Sequence, residues 1–205
     1  MNSQTRKLLI DGPAGTLECA VDQLLDLQAP RGTAVICHPN PTQGGTMDNK
    51  VVQTLARAFV QLGYQVVRFN FRGIGQSAGA WDEGRGEVDD ALAVIAHFRQ
   101  DGLPLVLGGF SFGGYVASRA ALQLTGDAAP ERLVLVGPAT SRFDMAPVPA
   151  DALVIHGEVD DVVPLSSVLD WARPQHLPVI VVPGVGHFFH GQLTLLKNLV
   201  LRSWH

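Results

Sequence analysis

The stretch LVLGGFSFGGYVASRAAL, Leu105 to Leu122, constrains this chain more than any other. An apolar β-type run, Leu105-Val106-Leu107, enters a glycine-flanked serine, Gly109-Phe110-Ser111-Phe112-Gly113, and an alanine-rich helical pattern leaves it. A serine at the apex of a strand, a sharp turn and a helix is the context in which GxSxG carries chemistry. The turn holds the serine in a strained backbone conformation, and a side chain at position 109 or 113 would crowd it. The hydroxyl then stands clear of the sheet edge, at the positive end of the following helix. Taken alone, the pentapeptide also fits an ordinary glycine-rich connection, so its meaning depends on partners elsewhere in the chain.

The rest of the chain alternates strand and helix patterns. Lys7 to Ile10 and Thr16 to Val21 read as a hairpin around Gly12-Pro13-Ala14-Gly15. Thr33 to Cys37 is a continuous apolar and β-branched run, as in a strand covered on both faces. Two prolines and two glycines between His38 and Gly45 argue against regular structure there. A helix capped by Asp48 or Asn49 follows, with Val51, Val52, Leu55, Phe59 and Leu62 on one face and a stop at Gly63. Further strands are expected at Gln65 to Phe69, Pro104 to Gly108, Arg132 to Val136, Ala152 to His156 and Pro178 to Val182. Helices are expected at Glu87 to Arg99, Gly113 to Leu124, Pro164 to Arg173 and His190 to Ser203. This alternation means an α/β fold, a mostly parallel sheet with helices on both faces. No repeat or long linker interrupts it, so residues 1–205 are expected to form one domain.

Composition narrows the partners. Hydrophobic residues make up 46% of the chain and charged residues 17%, enough for a sizeable core. A formal net charge of −4 and the lack of any basic run argue against nucleic acid. No apolar run reaches the ~18 residues a membrane span needs. Leu8-Leu9-Ile10 is too short for a secretory signal, and Cys19 and Cys37 read as reduced, buried residues. A cytoplasmic protein acting on a small molecule is expected; oligomeric state is not legible. The segment FRGIGQSAG, residues 71–79, invites a dinucleotide reading, but its third glycine, Gly79, falls one position late for GxGxxG.

A serine hydroxyl needs a base, and the base an orienting acid. In a parallel sheet, these groups gather on loops after the strands' carboxyl ends. Of seven histidines, His97 is mid-helix, His176 precedes a strand and His205 is terminal. His38 and His156 end strands but enter tight turns, where a histidine anchors the turn. His187 follows a strand and the loop Pro183-Gly184-Val185-Gly186, with His190 the nearest rival. The HxxH pair of His187 and His190 lacks an evident third ligand, so neither metal nor other cofactor is expected. The loop HGEVDDVVP, residues 156–164, supplies three carboxylates, of which Asp160 is preferred, then Asp161, then Glu158. The order is then Ser111, Asp160, His187: nucleophile, acid, base.

With these residues in place the chain resembles an α/β-hydrolase from end to end. GFSFG is similar to the family's nucleophile elbow, HGEVDDVVP to its acid loop and GVGHFF to its histidine loop. HPNPTQGGTMDNKVV with FNFRGIGQSAGAWDEGRGE resembles a bacterial branch of small serine hydrolases whose corresponding loop reads HPxPxxGGTMxNK. The resemblance implies an eight-stranded sheet with an antiparallel second strand and Ser111 after the fifth. It gives Asp160 the acid role and His187 the base. One oxyanion donor should be the Phe112 N–H, and the second should come from the loop after the third strand. Pro39 and Pro41 have no N–H, so Asn40 is the candidate there. The family often carries His-Gly where this chain has His38-Pro39.

Only Pro138 to Ala150 separates the sixth strand from the seventh, too little for a helical lid. The site should therefore be open and suited to small or short-acyl substrates, with Trp81, Phe112, Phe143, Met145 and Phe188 either lining it or packing in the core. The expected reaction is hydrolysis of an ester, thioester or amide, including peptide amides, through an acyl-enzyme. The same residues would serve an acyltransferase. A non-catalytic binding protein on a hydrolase fold is a further alternative, against which the complete Ser-Asp-His set argues.

Overall fold

In the computed structural model, which describes residues 3–24 and 29–204, every strand joins a single eight-stranded sheet in the order β1-β2-β4-β3-β5-β6-β7-β8. β1 (Ser3–Gly12) and β2 (Gly15–Leu24) form the expected hairpin, longer than the apolar runs suggested because backbone pairing continues through their polar ends. β2 runs antiparallel to both β1 and β4 (Gln65–Phe69), and all later pairings are parallel. β3 (Thr33–Cys37), β5 (Leu105–Phe110) and β6 (Arg132–Val136) fill the centre, followed by β7 (Leu153–Gly157) and β8 (Val179–Val182).

Successive strand residues point to opposite faces, so each strand feeds two cores. On one face Val35, Cys37, Leu107 and Leu135 pack with α2 (Arg85–Phe98), α3 (Phe112–Gln123) and α4 (Leu165–Ala172). On the other, Ala34, Ile36, Val106 and Val134 pack with α1 (Lys50–Gln61) and α5 (Leu193–Ser203). Asn49 caps α1 by accepting the Val51 N–H at 2.9 Å. Val51, Val52, Leu55 and Phe59 are its buried face, while Leu62 lies just past its last turn.

Several boundaries differ from the sequence reading, each for a local reason. β5 runs on through two glycine-flanked positions because Gly109 and Phe110 pair with Leu135 and Val136 of β6. α5 starts at Leu193 rather than His190 because Phe189 and Gly191 both adopt positive φ, +52° and +73°, which no right-handed helix accepts. Where irregular chain was expected, Pro41–Gln43 forms one 3₁₀ turn, with proline in its first positions and the Asn40 side chain as cap. Residues 137–152, between β6 and β7, contain no helix.

The glycine-rich segment 71–79 is built into the scaffold instead of being open to a phosphate. A Cβ at Gly75 would sit 2.2 Å from Glu18 Oε2 and 2.5 Å from Asn70 Nδ2. Glu18 Oε2 accepts from Asn70 Nδ2 and the Gln76 N–H, and Asn70 Oδ1 accepts the Met47 N–H. At its start, the Arg72 guanidinium forks onto both oxygens of fully buried Asp90 in α2, at 3.0 and 2.8 Å. Removing one member of such a pair leaves a charge with little water to solvate it. Asp90→Ala is therefore expected to cost about 3–5 kcal/mol of unfolding free energy, read as a lower urea midpoint at unchanged m-value.

Candidate active site

β5 lies at the centre of the parallel sheet, so its carboxyl end opens onto the rim where neighbouring loops meet. There Ser111 links β5 to α3 with φ +56° and ψ −118°, a conformation that L side chains rarely adopt. Close packing sustains the strain. A Cβ at Gly109 would lie 2.1 Å from the Gly113 carbonyl oxygen, and one at Gly113 would lie 2.1 Å from that of Cys37. Both glycines are required by contact with backbone. Ser111 N–H donates to the Val136 carbonyl at 2.9 Å, fixing the turn against β6.

Asp160 and His187 meet across 2.6 Å, Oδ2 to Nδ1, although 27 residues separate them. Both are buried, at 7% and 3% exposure. The other carboxylate oxygen of Asp160 accepts the N–H groups of Val162 (2.9 Å) and Val163 (2.7 Å). Burial pushes the Asp160 carboxyl up, but the hydrogen bonds from His187 and these amides outweigh it and hold the group below its ordinary range. The alternatives are placed elsewhere: Asp161 is exposed, Glu158 accepts the Gly184 N–H, and His190 is exposed against Phe188.

His187 stands against the serine turn. Its imidazole centroid is 4.8 Å from that of Phe110, the residue before Ser111. A Cβ at Gly137, the residue after the carbonyl that holds Ser111 N–H, would touch the ring at 3.2 Å. Among the described residues no hydrogen bond joins Ser111 Oγ to the imidazole; in such sites this contact commonly tightens only when substrate binds. The structure thus joins Asp160 to His187 directly and brings their pair to the corner occupied by Ser111.

Of the candidate oxyanion donors, Phe112 begins α3, so its N–H has no acceptor within the helix. Asn40 spends its side-chain oxygen on Thr42 and its carbonyl on the Gln43 and Gly45 N–H groups, which shapes the loop and leaves its own N–H out of the turn's bonding. Phe112 is wholly buried and Met145 nearly so, as core residues, whereas Trp81 and Phe143 are half-buried and Phe188 is 42% exposed.

Two turn-anchoring histidines are as expected. His156 Nε2 donates to the Val163 carbonyl at 2.9 Å and closes the acid loop. His38 is completely buried: Nδ1 donates to the Pro39 carbonyl and Nε2 accepts the Phe71 N–H. What the sequence reading missed is the polar set beneath these loops. Arg68 bonds both oxygens of Asp22, the Met47 carbonyl and Asp48, tying the β3–α1 loop to the sheet. The available signal was a lone arginine inside the apolar strand run Gln65 to Phe69.

Burial lowers the His38 pKa from 6.5 to about 4. The unfolded chain takes up a proton near 6.5 that the folded protein refuses until about 4. This contribution to stability is complete above pH 6.5 and is lost as pH falls between those values. Wild type should lose about 3 kcal/mol more than His38→Gln between pH 7 and pH 4 in urea unfolding. Equal losses in the two proteins would contradict the assignment.

An eight-stranded, mostly parallel sheet with a strained serine between β5 and α3 is the α/β-hydrolase fold. Residues 28–168 match the hydrolase family described as serine aminopeptidase, S33, and the chain belongs to that family. Its structure is similar to that of a lidless α/β serine hydrolase from Xanthomonas campestris, with TM-score 0.88 and 40% identity over 98% of this chain and 93% of that one. It is also similar to an α/β serine hydrolase homologue from Coxiella burnetii, with TM-score 0.84 and 38% identity over 98% and 97% of the two chains. An uncharacterized protein of Rickettsia prowazekii is 31% identical over 89% of this chain and 82% of its own length. Among the described residues, no helix is long and apolar enough to cross a membrane.

Proposed function

We propose that this hydrolase cleaves small carboxylic esters, thioesters or amides through an acyl-enzyme on Ser111, with His187 and Asp160 as its partners. The observation that carries the reading is the buried Asp160–His187 pair standing beside the strained serine turn. With Nδ1 committed to Asp160, only Nε2 of the imidazole is left to take a proton.

In this reading, Ser111 Oγ attacks the substrate carbonyl carbon while His187 Nε2 accepts its proton. Asp160 holds the tautomer and stabilises the imidazolium, and its own three hydrogen bonds keep it ionised. Negative charge on the carbonyl oxygen is received by the Phe112 N–H, with the Asn40 N–H as second donor. Each such donor contributes about 3–4 kcal/mol to the transition state. His187 then protonates the leaving group, and water, activated by the same imidazole, releases the acyl group. The lack of a helix in residues 137–152 supports small or short-acyl substrates. Cys19 and Cys37 are free, buried thiols; burial, with Glu18 beside it, pushes Cys19 up to about 12. Such inert thiols fit a cytoplasmic location.

Ser111→Ala is expected to lower kcat for p-nitrophenyl acetate by about a million-fold and to abolish labelling by a fluorophosphonate probe. Asp160→Ala should lower kcat by about ten-thousand-fold while probe labelling slows. Unchanged turnover in Ser111→Ala would rule the mechanism out.

A further inference from the structure

We propose that Phe188 is the contact surface for the substrate's leaving group, so that the preferred substrates release an apolar, aromatic-sized alcohol or thiol. The inference rests on the roles given above to Ser111 and His187. Two phenylalanines follow His187 and are treated in opposite ways. Phe189 is wholly buried in the core beneath α1 and α5, at the cost of a φ of +52°. The reversal turns Phe188 outward, 42% exposed. A phenyl ring left in water forgoes part of the burial that would stabilise it.

The position of Phe188 says what would cover it. Its ring lies edge-on to the His187 imidazole, with centroids 5.1 Å apart and planes at 86°. The Phe188 ring also meets those of buried Phe110 at 5.9 Å and exposed His190 at 5.7 Å, whereas Trp81, Tyr115 and Phe143 pack on Phe112. Val159, 57% exposed, precedes Asp160 and donates its N–H to the Val185 carbonyl in the histidine loop. An exposed apolar residue thus precedes Asp160 in one loop and follows His187 in the other.

The chemistry selects the occupant. When the tetrahedral intermediate collapses, the bond from carbonyl carbon to the leaving oxygen or sulfur breaks. Its electron pair stays with that atom, and the proton on His187 Nε2 passes to it. The leaving atom must therefore sit within hydrogen-bond reach of the imidazole. The substituent it carries is the part of the substrate nearest to Phe188, while the acyl chain extends from the serine.

Benzyl acetate and methyl phenylacetate test this, because they are isomers carrying the same phenyl group on opposite sides of the ester. Phe188→Ala should lower kcat/KM for benzyl acetate about fivefold and leave methyl phenylacetate within about twofold of wild type. Phe188→Leu, which keeps an apolar surface, should stay within about twofold on both esters. Equal losses of Phe188→Ala on both isomers, a larger loss on methyl phenylacetate, or no loss on benzyl acetate would overturn the proposal. Each of these leaves the serine mechanism standing. Hydrolysis of both esters by Ser111→Ala overturns that mechanism and this proposal together.

Discussion

Everything at this rim depends on how closely α3 approaches the end of β3. The helix enters so near the Cys37 carbonyl that position 113 has no space for a side chain, and the helix's own first turn, at Gly113 and Gly114, leaves none at position 109. With glycine two residues to either side, the chain reverses within one residue, and that residue is Ser111 at φ +56°. The strain is local and costs of order 1–3 kcal/mol. The central strands offset it, since Ser111 follows a strand paired on both sides. A serine on an edge strand would lack that support.

Buried polar groups hold the surrounding loops alongside apolar anchors such as Met47, Phe71 and Phe189. His38 spans its own loop and the start of the next, Arg68 fastens the segment at Met47 and Asp48, and Asp90 grips Arg72. Glu18 and Asn70 close the glycine-rich turn, and Asp160 folds its loop over two backbone amides. Irregular loops cannot pair their backbone groups in a regular ladder, so side chains satisfy many of them. A hydrogen bond also fixes direction, which dispersion contacts do not. Donors and acceptors in a catalytic site require that directionality.

The lidless form has a consequence for recognition. Without a helix above the site, a substrate bound as proposed would meet the loop tips and the apolar side chains exposed on them. The histidine loop divides its two phenylalanines accordingly: Phe189 anchors the loop in the core and Phe188 remains at the rim.

Much of this was legible in the residues. The β-α alternation, the elbow around Ser111 and the placement of Asp160 and His187 after strands follow from local pattern and chain order. Elements ended one to a few residues from the expected places where pairing or positive φ overrode propensity, as at Gly109 and Phe189. The choice of Asp160 over Asp161 or Glu158 could not be derived from neighbouring residues. It depends on which carboxylate a histidine 27 residues away can reach, and that is a property of loop geometry. The pairs Arg68–Asp22, Arg72–Asp90 and Glu18–Asn70 were likewise invisible, since each joins groups far apart in the chain. Local sequence determined the elements and the kinds of chemistry at their ends. Only the tertiary structure decided which side chains meet, because a one-dimensional pattern carries direction along the chain but not distance across it.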